Sequence, residues 1–171
     1  SDCWSNSKNG LLFDFLENIE AGANTVSEKV VTGYADGIIT IDILEADDIA
    51  RVSARSALNE RQRTILGHFR HESGHFFWDK LFKEMELGAE FEHLFGNPDK
   101  NYQESLNQYY TDGPPSNWSH YFITAYASSH PLEDWAETWN HFLLIFDTIE
   151  TAHSHGLTPI KPEIQNLKGS L

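Results

Sequence analysis

Three residues in the stretch GHFRHESGHFFWDKL, positions 67–81, are of types that do chemistry together: His71, Glu72 and His75. On a helix, His71 and His75 stand at i and i+4, so their rings project from one face, one turn apart. Two imidazoles so placed can reach one Zn²⁺ at about 2.0–2.1 Å. Glu72 directly follows the first of them. A carboxylate there can take a proton from an attacking water, while the metal lowers the pKa of that water and polarises the scissile carbonyl. This is the His-Glu-x-x-His arrangement of zinc peptidases. The competing reading is a helix with chance histidines, and the neighbouring residues weigh against it. Ile65, Phe69 and Phe76 supply an apolar stripe, which a packed helix needs. Gly74 sits mid-helix, where Gly costs about 1 kcal/mol relative to Ala; close approach of another backbone is a reason to keep it. His68 lies one turn before His71. Two ligands already come from this helix, so His68 reads as a supporting or rim histidine rather than a third ligand.

A catalytic zinc takes three protein ligands and keeps one position open. The stretch YASSHPLEDWAETWNHF, positions 126–142, offers the third. On a helix, Glu133 and Glu137 are i and i+4, on one face with His130 and His141, while Trp135, Trp139, Phe142 and Phe146 lie on the other side and suit the core. Spacing does not decide which glutamate binds. A fourth protein ligand would make the site structural instead, and His68, His130 and His141 are the candidates for it.

These residues carry a resemblance. The stretches TGYADGIITIDILEADD, RTILGHFRHESGHFFWDKL, LFGN, GPPSNW and AYASSHPLEDWAETWNHFLLIFDTIETA, dispersed from about residue 30 to 157, resemble the bacterial zinc-binding metallopeptidases of the gluzincin type, whose third ligand is a Glu. A more distant similarity is to the catalytic domain of anthrax lethal factor. There too a tyrosine precedes the ligand glutamate by seven positions and a second glutamate follows by four, as Tyr126, Glu133 and Glu137 do here. The resemblance implies Glu133 as third ligand, Tyr126 as the hydroxyl facing the oxyanion, and Glu137 as a carboxylate holding a ligand histidine. Asp79, four after His75, matches an aspartate common in related zinc peptidases and supports a ligand or forms a surface ion pair. Tyr109, Tyr110 and His120 stand behind Tyr126 as alternatives. Many members begin with a cysteine-rich zinc ribbon; Cys3 is the only cysteine here, so these residues hold none. Where the family often has His, this chain has Tyr34, to which no role is attached.

The bulk properties agree with an enzyme acting on peptides. A net charge of −14 argues against nucleic acid as a partner, because phosphate binding needs a basic surface, and equally against an anionic membrane face. No apolar run approaches the roughly 18 residues that span a bilayer. One cysteine forbids an intrachain disulfide, which leans towards a reducing, cytoplasmic location. Asn117-Trp118-Ser119 fits the glycosylation pattern, which matters only in a eukaryotic secreted protein.

The elements that must position the site read as follows. LLFDFLENI, positions 11–19, is apolar enough to dock on the core. VVTGYADGIITIDI, positions 30–43, reads as two β-rich runs around Ala35-Asp36-Gly37, a hairpin signal. The alternation of Ile39, Ile41 and Ile43 gives the second run one buried face. Either an edge strand, ready to pair with an extended substrate, or a buried central strand satisfies it. Helices are expected over 46–58, over 60–82 with Asn59 as cap, over 84–95 and 101–111, and from Ser129–Pro131 to about His153. Residues 1–10 and the tail from about Gly156 read as loosely structured ends. The expectation is one α+β, mainly helical, zincin-like domain over residues 1–171. It would be a zinc metallopeptidase, with a zinc-stabilised interaction module or a zinc amidohydrolase on a non-peptide amide as the other classes.

Overall fold

Asp36 and Gly37 both take the left-handed conformation, with φ of 48° and 82°, the geometry that folds two strands back with a two-residue turn. A computed structural model describes residues 10–17, 30–47, 64–83 and 87–157. Around that turn β2 (Gly33–Ala35) and β3 (Ile38–Asp42) pair antiparallel, with Tyr34 opposite Ile39. β1 (Leu12–Leu16) joins the other side of β3 in parallel register, Phe13 opposite Ile39. The sheet order is therefore β1-β3-β2, so GIITIDI forms the central strand and not the edge. Ile39 and Ile41 are fully buried, as alternation requires. Ile43 departs from the alternation: it starts a single 3₁₀ turn, Ile43–Ala46, and is exposed.

The His-rich stretch forms α1 (Ile65–Trp78). Thr64 caps it, its Oγ1 accepting from the Gly67 N–H at 2.9 Å. Asn59 and most of the expected 46–58 helix lie outside the described residues. α1 ends in a wider π turn, Asp79–Lys83. It packs against β2 and β3, and its Phe69 ring meets Phe13 and Phe15 of β1, with centroids 5.6 and 6.1 Å apart. Then come α2 (Gly88–Phe95), α3 (Tyr102–Asp112) and α4 (Pro131–Ser154). Gly113, with φ of 77°, ends α3 where Asp-Gly-Pro-Pro breaks the pattern. Pro131 opens α4, where its missing N–H costs nothing.

By contacts the chain divides into two compact units, residues 1–140 and 141–171. In the first unit α4 crosses α1 at Gly74. A Cβ on Gly74 would come within 3.0 Å of the Ala136 Cα and 3.2 Å of the Trp139 ring, so the glycine permits the close approach. Trp135 Nε1–H donates to the Gly74 carbonyl at 2.7 Å and Trp139 Nε1–H to Ser73 Oγ at 3.1 Å. Fully buried Phe91 of α2 centres an aromatic cluster with Trp78, Phe82, Phe95 and Trp135. The core face of α4 stops earlier than its apolar stripe suggests. Phe142 and Phe146, expected to suit the core, are exposed. They lie in the second unit and pack on each other at 6.4 Å.

Candidate metal centre

α1 sets His71 and His75 one turn apart, and α4 brings Glu133 between them. The Glu133 carboxylate is 1 % exposed. Its Oε2 lies 3.0 Å from His71 Nε2 and its Oε1 3.4 Å from His75 Nε2. Among the described residues these three form the group that could hold a metal ion, one donor atom from each lying within 4.8 Å of the others. The opposite ring nitrogen of His71, Nδ1, lies 2.7 Å from Glu137 Oε1. A carboxylate in that place fixes the tautomer of a ligating imidazole and raises its basicity.

The electrostatics follow from burial and from an excess of acid. Burial works against charge on His71, yet the Glu133 and Glu137 carboxylates raise its imidazole to about 10. Burial lowers His75 to about 4. Burial also opposes charge on Glu133, but the contact with His71, the charge on His75 and the Tyr102 hydroxyl together pull its carboxyl down to about 2. Two imidazoles thus face the carboxyls of Glu72, Glu133 and Glu137 in a buried space. Buried carboxylates need a compensating charge, and a divalent cation shared by two imidazoles and one carboxylate supplies it. The donor set is that of a three-ligand zinc site, so the residues present fit the metal.

Glu72 is buried beside this group. Burial pushes its carboxyl up to about 7. The Tyr34 backbone N–H of β2 donates a hydrogen bond to it. Tyr34 is tied to the site twice more: its hydroxyl donates to Asp79 Oδ2 at 2.8 Å, and its ring stacks on His75 with centroids 6.5 Å apart. Asp79 therefore joins the centre through Tyr34, and its charge acts on His75.

Tyr126 opens a 3₁₀ turn, Tyr126–Ser129, just before α4. Its ring centroid lies 6.1 Å from that of His71, and burial and the Glu133 charge raise its hydroxyl, which stays protonated. Of the alternatives, Tyr109 packs edge-on against Tyr126 at 5.8 Å, Tyr110 is exposed, and His120 packs on Tyr121 at 6.5 Å. His130 is engaged elsewhere: its Nδ1 accepts from the Leu132 N–H and its Nε2–H donates to the Lys100 carbonyl, both at 3.1 Å. His68 faces Glu45, its Nδ1 3.7 Å from Oε2.

One residue of the centre carried no signal in the sequence. Tyr102, the first residue of α3, donates its hydroxyl to Glu133 Oε1 at 2.6 Å. It follows a Gly-Asn-Pro turn and stands on a largely polar helix, so neither periodicity nor a motif marks it.

A family model described as "putative zinc-binding metallo-peptidase" matches residues 1–169. The chain belongs to this family. It is also 42% identical over 137 residues to an uncharacterized protein of Mycobacterium bovis and to uncharacterized proteins of two Mycobacterium tuberculosis strains, covering 80% of this chain and 40% of each relative. The chain thus spans about 40% of the length of the curated relatives it matches. No solved structure matches it, and the more distant similarity to the lethal factor catalytic domain finds no support in these comparisons. Membership agrees with the His71, His75 and Glu133 group. No helix among the described residues is long and apolar enough to cross a membrane.

Proposed function

We propose that this chain is a zinc-dependent peptidase that hydrolyses peptide bonds with water as nucleophile. The observation that carries the reading is the convergence of donors from His71, His75 and Glu133 within 4.8 Å, with the buried Glu72 carboxylate beside them. His71, His75 and Glu133 would hold the ion. Bound there, zinc supplies a Lewis acid that polarises the carbonyl and makes water more acidic. Glu72 takes the proton from the attacking water and hands it to the leaving amine. The Tyr126 hydroxyl donates to the oxygen on which negative charge develops. Glu137 holds the His71 ring in orientation through Nδ1. β2 has β3 on one side only among the described residues, and Tyr34 of that strand touches Glu72. An extended peptide added at this edge would lie next to the base.

The reading as a structural zinc module needs a fourth protein ligand. Of the three candidates, His130 has both ring nitrogens already used and His68 faces Glu45, which favours hydrolysis. The discriminating variant is Glu72→Gln, which keeps the shape and removes the basicity. It should fold and bind zinc like the parent, while peptide hydrolysis falls by at least about 10²-fold. Full activity in Glu72→Gln would sink the mechanism. A zinc-loaded parent that cleaves nothing in a broad peptide library would instead favour the module.

A further inference from the structure

We infer that Tyr102 is a positioning residue for Glu133: its hydroxyl holds Oε1 and thereby presents Oε2 towards the ion that His71 and His75 share. The inference rests on the reading of this group as a zinc site. A carboxylate offers two oxygens with about four lone-pair positions, so a buried glutamate can rotate and change which oxygen it presents. Here the two oxygens have different neighbours. Oε1 accepts the Tyr102 hydroxyl at 2.6 Å and lies 3.4 Å from His75 Nε2, while Oε2 lies 3.0 Å from His71 Nε2. A hydrogen bond to an ionised acceptor is about twice as strong as a neutral one. A phenol is protonated near neutrality, so the Tyr102 hydroxyl is a donor.

Tyr102 is itself held. Asn101 caps α3, its side chain accepting from the Glu104 N–H at 3.1 Å. His130, three residues before Glu133, spans the two helix starts. Its Nδ1 accepts from Leu132 at the start of α4, its Nε2–H donates to the carbonyl of Lys100, and its ring packs edge-on against Tyr102 at 5.1 Å. One histidine therefore sets the distance between the tyrosine and the glutamate it holds. Tyr102 is 41% exposed, which is unusual for a side chain that serves only packing and leaves room for substitution without a cavity.

The test measures metal binding directly. Parent, Tyr102→Phe, His130→Asn and Tyr121→Phe are titrated with Co²⁺, followed by its visible spectrum, and with Zn²⁺ against a chelator, with helix content checked by circular dichroism. Tyr102→Phe should bind both ions about 10–100-fold more weakly and give an altered Co²⁺ spectrum, because Glu133 is free to rotate. His130→Asn keeps an N-cap side chain but cannot span to Lys100, so it should weaken binding in the same direction. Tyr121→Phe, at an exposed tyrosine outside the site, should bind as the parent does. Parental affinity and spectrum in Tyr102→Phe would overturn the inference, and so would loss of helix content in that variant, which would make Tyr102 structural. A parent that takes up neither ion would overturn the zinc reading itself.

Discussion

Glu137 Oε1 lies 2.7 Å from Nδ1 of His71, and Glu133, one turn earlier on α4, meets the other nitrogen of the same ring at 3.0 Å. One imidazole thus sits between two carboxylates of one helix, and the two carboxylates have different work. Glu133 also reaches His75; the Glu137 contact is on the far side of the His71 ring.

That division predicts unequal losses. If Glu133 is the third ligand, as proposed, Glu133→Ala should abolish stoichiometric zinc retention. Glu137→Ala should bind zinc about 10–100-fold more weakly, the usual effect of removing a carboxylate behind a ligand histidine. Competition against a chelator of known affinity measures both. Equal losses would mean that the two residues share one role.

Tyr126→Phe addresses the transition state. The ring keeps its contacts with His71 and Tyr109, so the thermal midpoint and the zinc content should match the parent. In the proposed mechanism this hydroxyl is the donor to the developing oxyanion, and loss of such a donor costs about 10²–10³-fold in kcat. Steady-state kinetics on a cleaved peptide decide this, and an unchanged kcat would assign the donor elsewhere. A large fall in the thermal midpoint would make the Tyr126 hydroxyl part of the folding core.

Gly74→Ala probes the crossing of α1 and α4. Ala improves intrinsic helix propensity by about 1 kcal/mol. Its Cβ, however, meets the Ala136 backbone and the Trp139 ring at 3.0–3.3 Å, and overpacking of this kind costs about 1–3 kcal/mol. The thermal midpoint should fall. Zinc affinity should fall with it, because pushing the helices apart withdraws Glu133 from the two histidines. A rise in the midpoint would show that the crossing relaxes at little cost.

Local chemistry made much of this legible. His71 and His75 share a face because four residues are close to one helical turn, whatever surrounds the helix. Asp36-Gly37 turns the chain because few residues accept positive φ, and Pro131 opens α4 because its fixed φ suits the first turn. Each is a property of a few adjacent residues. The identification of Glu133, Glu137 and Tyr126 came from likeness to a family, since spacing along α4 left two glutamates open.

Tertiary packing decided the rest. Tyr102 is 31 residues from Glu133, and His71 is 62 from it; no periodicity links positions so far apart. The parallel pairing of β1 with β3 made GIITIDI central, because strand order depends on which strands pair and not on alternation within one strand. Tyr34 entered the site through its backbone N–H and its hydroxyl, groups whose partners only the approach of β2 to α1 supplies. The apolar stripe of α4 runs on to Phe146, but burial needs a facing surface. Phe142 and Phe146 have none among the described residues and are exposed. By itself, then, the sequence determined the residues that repeat with the helix or turn the chain. Which of them converge, and which carboxylate oxygen meets which nitrogen, was decided by the packing of α1 against α4 and β2, because those distances are set between elements and not within them.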